Sequence, residues 1–79
     1  MPVFEVMKQI IMEIKDLPED AVTMDASFAD DLEADSLDVV EMLMLLEEKY
    51  DITIPEEAAE EMKTVRDAVE YIENLLADK

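Results

Sequence analysis

The sequence predicts an all-α fold, a small antiparallel bundle of three main helices and one short one, in a single domain over residues 1–79. Three observations carry that expectation. Apolar residues recur at spacings of three and four in three separate segments. Helix-capping residues and prolines mark where those segments begin. No segment shows the strict alternation of a half-buried strand.

The first helix is expected over 3–16, where Val3, Met7, Ile10, Ile14 and Leu17 share one face. Pro2 suits a first-turn position, and Pro18 prevents continuation. Residues 18–35 lack sustained periodicity and read as a long ordered loop, a length that is often functional. Phe28 and Leu32, four apart, would pin it to the core through one helical turn. The second helix runs from Ser36 to Tyr50, with Asp35 as N-cap and Asp38 closing an approximate capping box. Ile52-Thr53-Ile54-Pro55 looks extended, and Pro55 opens a short helix reaching Glu61. Thr64 caps the last helix with Asp67 as its box partner, and Val65, Ala68, Val69, Ile72, Leu75 and Leu76 form its buried face. Glycine is absent, so a turn that needs positive φ is expected to use Asn or Asp.

Charge is strongly segregated. Residues 16–62 hold 17 of the 23 acidic residues against one basic residue, Lys49, a balance of −16 within a total of −17. A field of one sign steers partners of the other, so partners should present Lys and Arg. Nucleic acid and anionic membrane surfaces, both polyanions, are poor partners. Hydrophobic residues at 51% suffice for a core and argue against disorder. No apolar run approaches the ~18 residues of a membrane span, and no signal or transit pattern opens the chain. A soluble, cytoplasmic monomer is therefore expected. The absence of Cys and His excludes disulfides, thiolate zinc sites, thiol nucleophiles and a Ser-His pair. A calcium loop beginning at Asp31 fails on spacing: it puts Ser36 where glycine is needed and Met42 where the bidentate Glu belongs. No metal site is expected.

On the second helix, Val39, Leu43, Leu46 and Tyr50 form one apolar stripe, expected to face the core. Leu37, Val40 and Met44 form another about a quarter turn away, flanked by Glu41, Glu47 and Glu48. An apolar centre ringed by carboxylates fits a docking patch for a basic, partly apolar surface. Periodicity alone favours a wide apolar face buried by the other helices. Ser36 adjoins this stripe. A serine there is ordinarily a cap, but Asp35 is a better one and leaves the hydroxyl free to project. The helix N-terminus would also support an attached phosphodiester.

The run Phe28-Ala29-Asp30-Asp31-Leu32-Glu33-Ala34-Asp35-Ser36-Leu37-Asp38 resembles the modification site of acyl carrier proteins, whose hallmark is Asp-Ser-Leu. The similarity continues through Val40-Glu41, Met44, Leu46-Glu47-Glu48, Ile54-Pro55, Thr64-Val65 and Tyr71-Ile72. The resemblance implies that Ser36 receives phosphopantetheine from coenzyme A in a Mg-dependent transfer by a separate holo-synthase. The arm's thiol then carries acyl chains as thioesters to fatty-acid synthesis enzymes. On that footing the chain is a carrier and not an enzyme. Asp35, Leu37 and Asp38 flank the cofactor, and Leu37, Asp38, Val40, Glu41, Met44, Glu47 and Glu48 meet basic patches of partners. Acyl chains would fold back among Leu43, Leu46, Ile54, Ala59, Met62, Ala68 and Ile72. Polyketide, peptidyl or alanyl carriers remain alternatives, as does a structural acidic helical adaptor in which Ser36 only caps. One departure stands out: the family usually has glycine before Ala-Asp-Ser-Leu, and this chain has Glu33.

Overall fold

In the computed structural model, which describes residues 2–77, helix α1 spans Val3–Lys15. Pro2 holds extended backbone at its N-cap, and Asp16 ends it in the left-handed region at φ 53°. The Asp16 N–H donates to the Met12 carbonyl at 2.9 Å. The helix is thus one residue shorter than the spacing suggested, and Leu17 lies half-buried beyond it. Its buried line is Val3, Val6, Met7 and Ile11, with Ile10 and Ile14 only partly covered.

The long connection from residue 16 to 35 is ordered by its own hydrogen bonds. Glu19–Ala21 form a short 3-10 turn that the sequence did not signal. Farther on, the Asp31 and Leu32 N–H groups both donate to the Ser27 carbonyl at 3.0 Å. Ser27 Oγ accepts the Asp30 N–H at 3.0 Å, and Asp31 Oδ2 accepts the Ser27 N–H at 2.8 Å. This turn drives Phe28 and Leu32 into the core, as their spacing implied. The loop is also tied to the far end of the chain: Ser27 and Thr64 form an isolated antiparallel bridge, and the Phe28 N–H reaches the Lys63 carbonyl at 3.0 Å.

Helix α2 covers Ser36–Tyr50, α3 covers Glu56–Glu61, and α4 covers Val65–Ala77. The Thr64–Asp67 box forms at the start of α4: Thr64 Oγ1 accepts the Asp67 N–H, and Asp67 Oδ2 accepts the Thr64 N–H, both at 3.2 Å. Helix α1 packs against α2 and α4, and α3 lies against α2. Met7, Leu32, Leu46, Val65, Val69 and Ile72 are fully enclosed where these elements meet. The described residues therefore form a small all-α bundle of three long helices and one short one, without strands. No helix among them is long and apolar enough to cross a membrane.

Positive φ occurs at Asp16, Glu33 and Asp51. Two of the three follow the rule that Asp substitutes for a missing glycine. Glu33 breaks it. At φ 52° its Cβ crowds the following carbonyl, a cost of about 1–2 kcal/mol that glycine would not incur. The neighbours hold it there: Leu32 is anchored in the core, and the Ala34 N–H donates to the Phe28 carbonyl at 2.7 Å.

Candidate functional site

The first turn of α2 is fixed by a reciprocal cap. Asp35 Oδ1 accepts the Asp38 N–H at 3.0 Å, and Asp38 Oδ2 accepts the Asp35 N–H at 3.2 Å. Two otherwise orphaned backbone donors are satisfied this way. Ser36, the first residue of the helix, is exposed and takes no part in the cap. Its hydroxyl is presented on a braced turn.

A groove with room for about 290 Å³ opens beside Ser36, between the start of α2 and α3. Phe28, Ala34, Val39, Val40, Ala59 and Met62 give it apolar walls, and Asp35, Glu56, Glu60 and Lys63 give it a polar rim. Of the seven residues expected to line an acyl pocket, Ala59 and Met62 border this groove. The other five, Leu43, Leu46, Ile54, Ala68 and Ile72, are buried in the core behind it.

The two stripes of α2 separate by burial. Leu43 and Leu46 are buried, joined by Met42, which the spacing had not assigned to the core. Val39 and Tyr50 are half-buried at its edge. Leu37, Val40 and Met44 are 76%, 47% and 59% exposed, so the wide-core reading of that stripe is excluded. Leu45, also partly exposed, adds to the apolar surface, and Glu41 and Glu48 stand exposed beside it. A shallow depression here is bordered by Glu41, Met44, Leu45, Glu47, Glu48 and Asp51. Glu47 differs from its neighbours: it is half-buried, and its Oε2 accepts the Ile54 N–H at 2.7 Å, bracing the segment that leads to α3.

Asp38 also differs. The Lys15 ammonium, from the last turn of α1, donates to its Oδ2 at 3.0 Å. That hydrogen bond, helped by the Asp35 N–H, holds the Asp38 carboxyl below the usual carboxylate range. The same bond raises Lys15, with the fields of Asp38, Asp35 and Glu33 acting in the same direction. No sequence pattern linked two residues 23 positions apart.

The residues fit an attached phosphopantetheine: an exposed hydroxyl released from capping, at the open end of a groove, on a helix N-terminus that favours an anion. Comparison with known proteins agrees. Residues 5–72 match the family described as "Phosphopantetheine attachment site". The acyl carrier protein of Sulfurovum sp. (strain NBC37-1) is 48% identical over 75 residues, covering 95% of this chain and all of that protein. The acyl carrier protein of Campylobacter lari (strain RM2100) is 47% identical over 75 residues, covering 95% of this chain and 97% of that protein. With likeness of this degree running nearly end to end, the chain belongs to the acyl carrier protein family.

Proposed function

We propose that residues 1–79 form one acyl carrier domain, which bears a phosphopantetheine arm on Ser36 and delivers acyl intermediates to the enzymes of fatty-acid synthesis. The observation that carries this reading is the Ser36 hydroxyl, relieved of capping by Asp35 and exposed beside an apolar-walled groove. When attached, the arm supplies the thiol that a cysteine-free chain lacks and holds acyl groups as thioesters.

The chain's own residues prepare Ser36 but do not activate it. There is no histidine, and Asp35 Oδ1 and Asp38 Oδ2 are engaged in the capping box. On this reading the base that takes the Ser36 proton belongs to the holo-synthase, and the chain is a carrier that performs no catalysis, a monomer working in the cytoplasm. Leu37, Val40 and Met44, with Glu41 and Glu48 beside them, offer a basic, partly apolar partner both contact area and charge. A short acyl chain fits against Ala59 and Met62 in the groove. A longer one reaches the layer of Leu43, Leu46, Ile54, Ala68 and Ile72 by parting the helices.

Intact-mass measurement after incubation with purified holo-acyl-carrier synthase, coenzyme A and Mg²⁺ tests the assignment. One phosphopantetheine mass is expected on the native chain and none on Ser36→Ala. No gain on the first, or a gain on the second, refutes it.

A further inference from the structure

Among the described residues, Lys15–Asp38 is the single salt bridge that reaches α2. The other basic residues in such bridges are turned elsewhere: Lys8 to Glu5 and Glu19, and Arg66 to Asp25. Lys15 therefore places one positive charge, from just outside the acidic stretch, against the head of the helix that otherwise advertises negative charge. The pair is also less accessible than its surroundings. The side chains of Lys15 and Asp38 are 26% and 24% exposed, whereas Asp35, Glu41 and Glu48 lie in the open. Asp38 Oδ2 already accepts two hydrogen bonds, from Lys15 and from the Asp35 N–H. A partner's Lys or Arg that approaches this carboxylate meets the Lys15 ammonium already paired with it, and must either displace Lys15 from Oδ2 or share the half-neutralised group through Oδ1. Lys15 is in turn favoured where it is, at the C-terminal end of α1, where exposed carbonyls attract a cation.

We propose that Lys15 is a specificity-determining residue: by occupying Asp38 it withdraws that carboxylate from partners, so that basic surfaces read α2 through the stripe from Leu37 to Glu48. Lys15 acts through Asp38 and touches neither the arm nor the partner. This rests on the reading of α2 as the docking surface.

The experiment measures binding without chemistry. Ser36→Ala protein is titrated with purified holo-acyl-carrier synthase in the absence of coenzyme A, across a series of NaCl concentrations, alone and combined with Lys15→Met, Lys15→Arg, Asp38→Asn or Lys15→Met with Asp38→Asn. Removal of Lys15 frees a carboxylate at the edge of the interface, so Lys15→Met is expected to bind about two- to fivefold tighter, the range of one exposed ion pair. Its affinity should also fall more steeply with salt. Lys15→Arg should behave as the parent. Asp38→Asn should be nearly silent when Lys15 is present and should cancel the gain when it is absent. A merely structural Lys15 predicts the reverse: weaker or unchanged binding by Lys15→Met, and a cost of Asp38→Asn that is the same in both backgrounds. Either result overturns the proposal. Thermal melts confirm that each variant folds, and Lys15→Gln replaces Lys15→Met if the latter does not. Failure of the mass test with Ser36 intact would refute the attachment site while leaving this binding comparison independent of it.

Discussion

Replacing Glu33 with glycine should stabilise the protein, although it removes every atom of a side chain. Glu33 is held at φ 52°, where a residue with a Cβ is disfavoured by about 1–2 kcal/mol. Glycine removes that cost, but it also loosens the unfolded chain, which offsets about 0.5–1 kcal/mol of the gain. The net expectation is about 1 kcal/mol, or a rise in Tm of about 4–8 °C for a domain of this size.

Glu33 also contributes to the negative field around Lys15, so a change in charge must be separated from a change in backbone. Glu33→Ala makes that separation. It deletes the same carboxylate and nearly the same volume but keeps the Cβ. Differential scanning calorimetry of the native chain, Glu33→Gly and Glu33→Ala should place the glycine variant highest, above the alanine variant by about 4–8 °C. If the two variants melt together, the strain at residue 33 is not real and the benefit of glycine there must be sought elsewhere.

Four further expectations can be read from the same geometry. Thr64→Ala removes the cap of α4 and should cost about 1 kcal/mol, seen as a lower midpoint in urea. Added NaCl or MgCl₂ should raise Tm by screening the carboxylates of residues 16–62, and a flat response would contradict that. Acylated protein should melt above the thiol form in calorimetry, because a chain buried only in the folded state stabilises it; equal melting would count against burial. The advantage of the native chain over Lys15→Met should vanish at both pH extremes. Asp38, with its folded pKa lowered, loses its contribution as pH falls through that value, below the usual carboxylate range of about 4. Lys15, with its folded pKa raised, loses it as pH climbs past the usual lysine value of about 10.4. A gap between the two melting curves that stays constant from pH 2 to 12 would show that the pair contributes nothing.

Features that depend on near neighbours in sequence were legible, and those that depend on distant ones were not. Both capping boxes close over three residues and could be read from Asp35–Asp38 and Thr64–Asp67. The helix starts followed from the same signals. Whether the second stripe of α2 would remain bare could not be read, because it depends on what the other helices can reach. Helix α3 has six residues against fifteen in α2, so at 1.5 Å per residue it covers less than half of its neighbour's length. Leu37 and Met44 stay exposed. Lys15 was invisible as part of the site because nothing local connects it to Asp38, and Glu33 was visible as a departure from the family but not as a left-handed residue.

Lys15 bears on how the proposed phosphodiester can be attached in so acidic a region, and Glu33 adds to the charge it offsets. Asp35, Asp38 and Glu33 converge on the turn that carries Ser36, and unopposed they would repel both one another and an incoming phosphate. Lys15 lies in the field of all three. Its charge offsets theirs at the head of α2 and falls off toward Glu48, about 15 Å of helix beyond Asp38 and past a Debye length of about 8–10 Å. Negative charge on α2 is therefore graded: more strongly offset beside Ser36, at Asp38, than along the exposed carboxylates of Glu41 and Glu48. A uniformly acidic helix would attract basic proteins equally well but would set its strongest field against its own cofactor. The grading suits the two tasks proposed for this helix, and Lys15, from the helix before it, contributes to it together with Lys63 at the rim of the groove.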